Sequence, residues 1–316
     1  MRMFETDRAR PRAIVGHVGR KGMRLALVGP AGGIDPGTTR FHDAAAITSL
    51  SGTISAFQRE MALPPGPVRS AFAVAGLVRG DAIAVTRTRW FLSRSGLAGM
   101  LGHAPVILND FEAEAWALAA RERPASQPTT HVVAGATSGL GVAVLRRDPV
   151  RGVSVLATEA GHAAFVAPDA PLAALVAELF PGRLIVGAEE LICASGLVTV
   201  YQAMARAKGA APRFASPEAI TAAAARDPIA EAACETLATA FAAHLGHLVL
   251  CYGAWDGVIV AGGLGTALSP MFHRPRVAAA FAGISRHARQ VAQVPIRFET
   301  MAEGELHGAA EALRAA

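Results

Sequence analysis

The segment Val106-Ile107-Leu108-Asn109-Asp110-Phe111 constrains this chain more than any other. Three consecutive aliphatic residues predict a buried strand, and the apolar-rich run from Phe111 to Ala120 predicts a helix directly after it. A strand that passes straight into a helix is the building unit of a layered α/β fold. The carboxyl end of such a strand is where these folds collect ligand chemistry. Here that end carries an amide beside a carboxylate. Asp110 can act there as general base toward a hydroxyl. It can equally be the N-cap of the helix, and the residues of this segment leave both roles open.

The same alternation runs along the chain. Ala13 to Val15 and Arg24 to Val28 predict two strands joined through a glycine-bearing turn, Gly16 to Gly22. Gly32 to Gly37 reads as a loop. Apolar residues at helical spacing predict a helix from Ile47 to Leu63, stopped by Pro64-Pro65-Gly66-Pro67. Ala71 to Ala75 and Ile83 to Val85 read as strands. After a polar crossing, Arg121 to Thr130, a second hairpin is predicted from His131–Ala134 and Val142–Leu145 around Gly135-Ala136-Thr137-Ser138-Gly139-Leu140-Gly141. Two halves that each open on a hairpin with a glycine-rich turn point to an internal duplication. Further on, Asp169, Ser195, Ser216-Pro217 and Asp227-Pro228 mark helix starts. Gly257 to Ala261 is a buried strand ending in Gly262-Gly263, Pro295 to Phe298 a last strand and Gly304 to Ala315 a last helix. The expected class is α/β with mixed sheets.

Composition excludes several kinds of protein. With 316 residues, 52% hydrophobic and 17% charged, the chain can bury the cores of two domains and is not globally disordered. Its formal charge of +5 is dispersed, without a basic run interleaved with aromatic residues, so nucleic acid is not an expected partner. Cys193, Cys234 and Cys251 lack a Cys-x-x-Cys spacing and predict reduced thiols in a cytoplasmic protein. Met1 to Arg12 is charged and lacks the apolar centre of a secretory signal; residues 1–12 are expected to form a flexible extension. The longest apolar stretch, Ala240 to Ala254, is interrupted by His244 and His247, so no membrane span is expected. Neither a Gly-x-x-x-x-Gly-Lys-[Ser/Thr] loop nor a Gly-x-Ser-x-Gly elbow occurs.

Other residues carry candidate chemistry. The turn from Gly135 to Gly141 combines glycines with the hydroxyls of Thr137 and Ser138, a composition that lets backbone N–H groups approach a phosphate. An ordinary hairpin turn has the same composition. Gly262-Gly263 can pass close to a nucleotide or simply turn the chain. Glu159 and His162, three apart, and Glu189 further on can hydrogen-bond the hydroxyls of a polyol and so discriminate between epimers. One histidine and scattered glutamates do not make a zinc site, and no protein metal ligands are expected.

Together these pieces resemble the bacterial glucokinase family of actin-like sugar kinases. The likeness runs from Ile14 to Ala310. It rests on Leu108-Asn109-Asp110-Phe111, Glu159-Ala160-Gly161-His162, Ala188-Glu189 with Ser195-Gly196-Leu197-Val198, and Ala261-Gly262-Gly263. The resemblance implies a two-domain actin-like, ribonuclease H-like α/β fold with an interdomain cleft that closes on sugar. The smaller domain is expected over 13–110 plus 300–316 and the larger over 111–299. It implies ATP-dependent phosphorylation of glucose or a related hexose at the 6-hydroxyl, with Mg²⁺ on the phosphates, and a homodimer. Asp110 would be the base; Asn109, Glu159, His162 and Glu189 would hold the other hydroxyls. Gly19, Lys21, Gly135, Thr137, Ser138 and Gly139 would face the phosphates, with Gly262 and Gly263 beside the adenosine.

The departures concentrate on the nucleotide side. The family's first phosphate turn reads Asp-x-Gly-Gly-Thr-Asn; here it is His17-Val18-Gly19-Arg20-Lys21-Gly22. Histidine is a poor partner for a hard, oxygen-seeking cation. The family's second-turn Gly-Thr-Gly is Thr137-Ser138-Gly139, its sugar-side Thr-Asn is Thr86-Arg87, and its Gly-Pro is Gly76-Leu77. Two functions therefore stay open: a hexose kinase with a cationic phosphate site, and a catalytically silent sugar-binding or regulatory protein that has lost ATP-Mg²⁺ binding.

Overall fold

A computed structural model describes residues 13–316; the extension expected over residues 1–12 lies outside the described residues. The first strands are β1 (Ala13–Gly19), β2 (Gly22–Val28), β3 (Ile34–Asp43) and β4 (Ser70–Val74). A small ribbon, β5 (Ala82–Ala84) with β6 (Phe91–Ser93), precedes β7 (Val106–Asn109). The main sheet has the order β3-β2-β1-β4-β7. Its first three strands are antiparallel, and β1, β4 and β7 are parallel.

A second sheet repeats this plan. It is built from β8 (Thr129–Ala136), β9 (Leu140–Asp148), β10 (Gly152–Thr158), β11 (Gly257–Ala261) and β12 (Ile296–Phe298), in the order β10-β9-β8-β11-β12. Again the first three strands are antiparallel and the last pairs parallel. The duplication visible in the two hairpins thus extends to whole sheets.

The chain divides into two compact units, one made of the residues up to Arg123 with Glu303–Ala316, the other of Pro124–Ala302. The expected boundary at residue 110 is therefore displaced. The helix Asp110–Arg121 belongs to the first unit because the C-terminal helix Gly304–Ala315 packs on it. Alternation along β1 explains why the C-terminal helix returns there. Ile14 faces a core with Leu25, Ile54, Phe57 and Phe72, whereas Val15 faces the other way, onto Leu306, Ala309 and Leu313. Both faces of that sheet are covered, as parallel strands require.

In the second unit the helix Pro228–Tyr252 is the core element, burying Leu237, Phe241 and Leu245 with Val132, Val142 and Val260 of the sheet. Asp227 caps it through the N–H groups of Ile229 and Ala230, each at 2.9 Å, and Gly253 ends it in the left-handed conformation. The helix runs for 25 residues through His244 and His247 and is long and apolar enough to cross a membrane by length and composition. Yet 78% of its most apolar window is buried within the protein. His244 is accommodated because its imidazole donates to the Ala160 carbonyl, while burial lowers its pKa to about 4 and keeps it neutral.

Three further expectations change. Gly32 to Gly37, expected as a loop, mostly enters β3, an edge strand whose Pro36, Gly37 and polar residues conceal it from a hydrophobic pattern. The first hairpin's turn contracts to Arg20-Lys21, because β1 and β2 stay paired as far as Gly19 and Gly22. Cys193, not Ser195, caps the helix Ala194–Ala207, its sulfur accepting from the Gly196 N–H at 3.3 Å.

Candidate active site

In the first unit, β7 delivers Asn109 and Asp110 half-buried at its carboxyl end. Asn109 is the N-cap. Its Oδ1 accepts from the Phe111 N–H at 2.9 Å, and Glu112 reaches back to the Asn109 N–H at 3.3 Å, completing a capping box. Its Nδ2 donates to the Gly76 carbonyl at 3.1 Å, which ties β7 to the loop after β4. Gly76 is itself required, since a Cβ there would lie 2.3 Å from the Ala84 carbonyl oxygen. Asn109 is thus the cap and Asp110 the first helical residue, whose Oδ1 shares the Phe111 N–H at 3.0 Å. There its charge is favoured by the helix dipole. Arg87, where the family has asparagine, adopts φ +59°, a conformation uncommon for a long side chain.

The first phosphate-turn candidate is the β1–β2 hairpin. Arg20 and Lys21 form its exposed tip, and Gly19 lies against the His17 ring, with a Cβ there 3.3 Å from Nε2. Burial lowers the basicity of His17, Glu305 raises it and Arg24 lowers it, so the net shift favours the neutral imidazole. Glu305 also faces Glu114, one turn below Asp110. Burial first, then Glu305 and Asp110, push the Glu114 carboxyl up to about 7. Sequence patterns alone do not single out Glu114 or Glu305, because their proximity depends on how two helices cross.

The second unit holds the remaining candidates. Glu159 precedes a short 3₁₀ turn that ends on His162; both are largely exposed, with His162 Nε2 3.7 Å from Glu159 Oε2. Glu189 is half-buried in the short helix Ala188–Leu191 and accepts from the Leu140 N–H at 3.0 Å. Its neighbour Glu190 has a structural task. It pairs with both guanidinium nitrogens of Arg183 at 2.5 and 2.8 Å and caps Gly187 at 2.9 Å. The Arg183 bond and then the Gly187 N–H depress the Glu190 pKa to about 2.

In the glycine-rich turn, the Thr137 N–H is taken by the Gly139 carbonyl at 2.8 Å and the Leu140 N–H by Glu189. Among the described residues, the N–H groups of Ser138 and Gly139 have no protein acceptor. Gly262, at φ +81°, lies under Thr137, whose methyl would be 2.6 Å from a Cβ at 262. Threonine thus fills part of the space that a glycine at 137 would leave open. The glycine-rich turn and the Gly262-Gly263 turn therefore lie together, at the ends of the paired strands β8 and β11. No group of three His, Cys, Asp or Glu side chains that could hold a metal ion occurs among the described residues.

Two mixed sheets of one topology, each opening on a hairpin, are the framework of the duplicated ribonuclease H-like sugar kinases. A family model described as Glucokinase matches residues 14–316, and the chain belongs to the glucokinase family. A glucokinase from Xanthomonas campestris pv. campestris (strain B100) is 38% identical over 215 residues, covering 62% of this chain and 63% of that protein. The matched segment therefore spans less than two thirds of that relative. Among solved structures, a glucokinase from an Antarctic psychrotroph superposes with a TM-score of 0.77 at 23% identity, over 97% of this chain and 100% of the other. A glucokinase from Balamuthia mandrillaris in complex with glucose does so at 0.77 and 18% identity, over 98% and 95%. At these identities the two structures carry the fold.

Proposed function

We propose that this protein transfers the γ-phosphoryl group of ATP to the 6-hydroxyl of glucose or a closely related hexose. The observation that carries the reading is the place of Asp110: it follows β7 at the first helical position, half-buried, behind the Asn109 cap, with one carboxylate oxygen on the Phe111 N–H at 3.0 Å. As an ionised carboxylate it accepts the hydroxyl proton as the oxygen attacks phosphorus. Asn109 retains one amide hydrogen beyond its bond to Gly76 and can donate it to a sugar oxygen. Glu159, His162 and Glu189 bond the remaining hydroxyls.

The residues on the nucleotide side fit a triphosphate. The N–H groups of Ser138 and Gly139, the Ser138 hydroxyl and the exposed Lys21 offer donors to phosphate oxygens. Lys21 would supply charge in place of part of the backbone approach of the family's turn, with Gly19 beside it. Gly135 and Thr137 shape the second turn, and Gly262 and Gly263 border the nucleoside. Mg²⁺ would be carried on the phosphates, where it neutralises their charge, and His17 would not be its ligand.

The test is calorimetric titration of glucose and of ATP-Mg²⁺ separately, followed by a coupled phosphorylation assay. The kinase reading expects both to bind and product to form. Glucose binding without ATP binding would establish instead the silent sugar-binding protein.

A further inference from the structure

The backbone of Leu140 joins the two parts of the second unit that the proposed chemistry keeps separate. Its N–H donates to Glu189 Oε2 at 3.0 Å. The residue before it, Gly139, lies so close to the same carboxylate that a Cβ would stand 2.5 Å from Oε2 and 3.1 Å from Cδ. On its other side, the Leu140 carbonyl oxygen presses on Gly161, where a Cβ would be 1.9 Å away. Gly161 lies between Glu159 and His162. The last residues of the glycine-rich turn therefore support both the Glu159–His162 turn and Glu189.

The two supported segments are also tied to each other and to the turn. Ala188 N–H donates to the Ala163 carbonyl at 2.9 Å, Phe165 N–H to Val186 at 2.8 Å, and Ala194 N–H to the Thr137 carbonyl at 2.8 Å. No side chain intervenes at Gly139 or Gly161, so a displacement of the turn reaches the carboxylate directly. Close packing transmits such shifts rather than absorbing them.

We propose that the Gly139-Leu140 segment is a positioning element for Glu189, so that phosphate occupancy of the turn and hexose affinity are linked. This rests on the reading of Glu189 as a hexose ligand. Phosphate oxygens that take the N–H groups of Ser138 and Gly139 hold the turn in the conformation that presents the Leu140 N–H to Glu189. The carboxylate is then fixed before sugar arrives, and less freedom is lost on binding. By linkage, hexose favours nucleotide by the same factor.

Glucose is titrated with and without the non-hydrolysable analogue AMPPNP and Mg²⁺, in the parent, Gly139→Ala and Glu189→Ala proteins. In the parent, AMPPNP tightens glucose binding by about 5-fold or more. Gly139→Ala displaces only the end of a flexible side chain. It weakens glucose by about 10-fold, the scale of one charge-assisted hydrogen bond, and brings the AMPPNP effect close to one. Glu189→Ala with parental glucose affinity would remove Glu189 from the sugar site and the inference with it. Weakened binding in Glu189→Ala, with parental affinity and coupling in Gly139→Ala, would overturn the inference alone. Amide exchange of the peptide spanning 137–141 gives a second readout that needs no folded Gly139→Ala protein. Saturating glucose slows it in the parent and leaves it unchanged in Glu189→Ala; the absence of slowing in the parent, or its survival in the variant, overturns the linkage.

Discussion

Gly308 of the C-terminal helix lies directly on Ala113 of the helix that Asp110 begins: a Cβ on Gly308 would stand 1.6 Å from the Ala113 carbonyl oxygen. The neighbour is backbone and cannot swing aside. Gly308→Ala must push the two helices apart, at about 3 kcal/mol or more. The expected result is a lower urea midpoint with an unchanged slope, together with a loss of kcat as the first turn below Asp110 shifts. Parental stability would show that the helices separate without strain.

Asp110 and Asn109 should separate chemistry from stability. Asp110→Ala lowers kcat by roughly 10²–10⁴-fold, the range for removal of a general base, and leaves the glucose dissociation constant near that of the parent. Its effect on stability is about 1 kcal/mol, from the first-turn charge and the shared Phe111 N–H. Asn109→Ala loses the cap and the bond to Gly76, at roughly 1–2 kcal/mol. Kinetics and denaturant melts on both variants check the contrast, and an unchanged kcat in Asp110→Ala would take that residue out of the base role.

Glu114 makes stability depend on pH. Its folded-state pKa lies near 7, above the ordinary 4.5, because burial, Glu305 and Asp110 all oppose its charge. The folded state therefore holds this proton more tightly than the unfolded chain does. The contribution is fully present below about pH 4.5 and is lost as pH rises through about 7. Glu114→Gln mimics the protonated form. It should leave stability at about pH 4 nearly unchanged and raise it at about pH 8, by on the order of 2 kcal/mol after allowance for partial solvent screening. Melting temperatures of parent and variant across that range test the sign.

Thr137 and Gly262 should trade against each other. Gly262→Ala loses roughly 1–3 kcal/mol from a positive-φ extended backbone that glycine alone adopts readily and adds a clash with the Thr137 methyl. Adding Thr137→Gly recovers the clash and not the backbone part. Thr137→Gly alone opens the turn and should lower the KM for ATP. A KM that rises or stays unchanged would show that the methyl does not limit nucleotide access.

Much of the α/β frame was legible in the sequence. The apolar run before Asn109 and the Asp227-Pro228 start report local preferences, and each appears where expected. The motifs that resemble the glucokinase family pointed to the family that the model match over residues 14–316 shows. Less legible was β3, where Pro36, Gly37 and polar residues form an edge strand only because β2 supplies a partner. Arg94–Leu101 was also concealed, since two glycines dilute its apolar face, although Ser93 caps it.

By itself the sequence determined where strands and helices begin, that the chain carries a duplicated hairpin, and which polar residues stand at strand ends. Those features follow from period, capping chemistry and glycine or proline placement, which act over a few residues. Tertiary structure alone decided that the cap, Asn109, is also tied to the Gly76 carbonyl. It also decided that Glu190 is spent on Arg183 while Glu189 turns to Leu140, and that the helix after Asp110 stays with the first unit. The physical reason is separation along the chain: Asn109 is held by a carbonyl 33 residues away and Glu189 by an N–H 49 residues away. Neither partner exists until the sheets have formed.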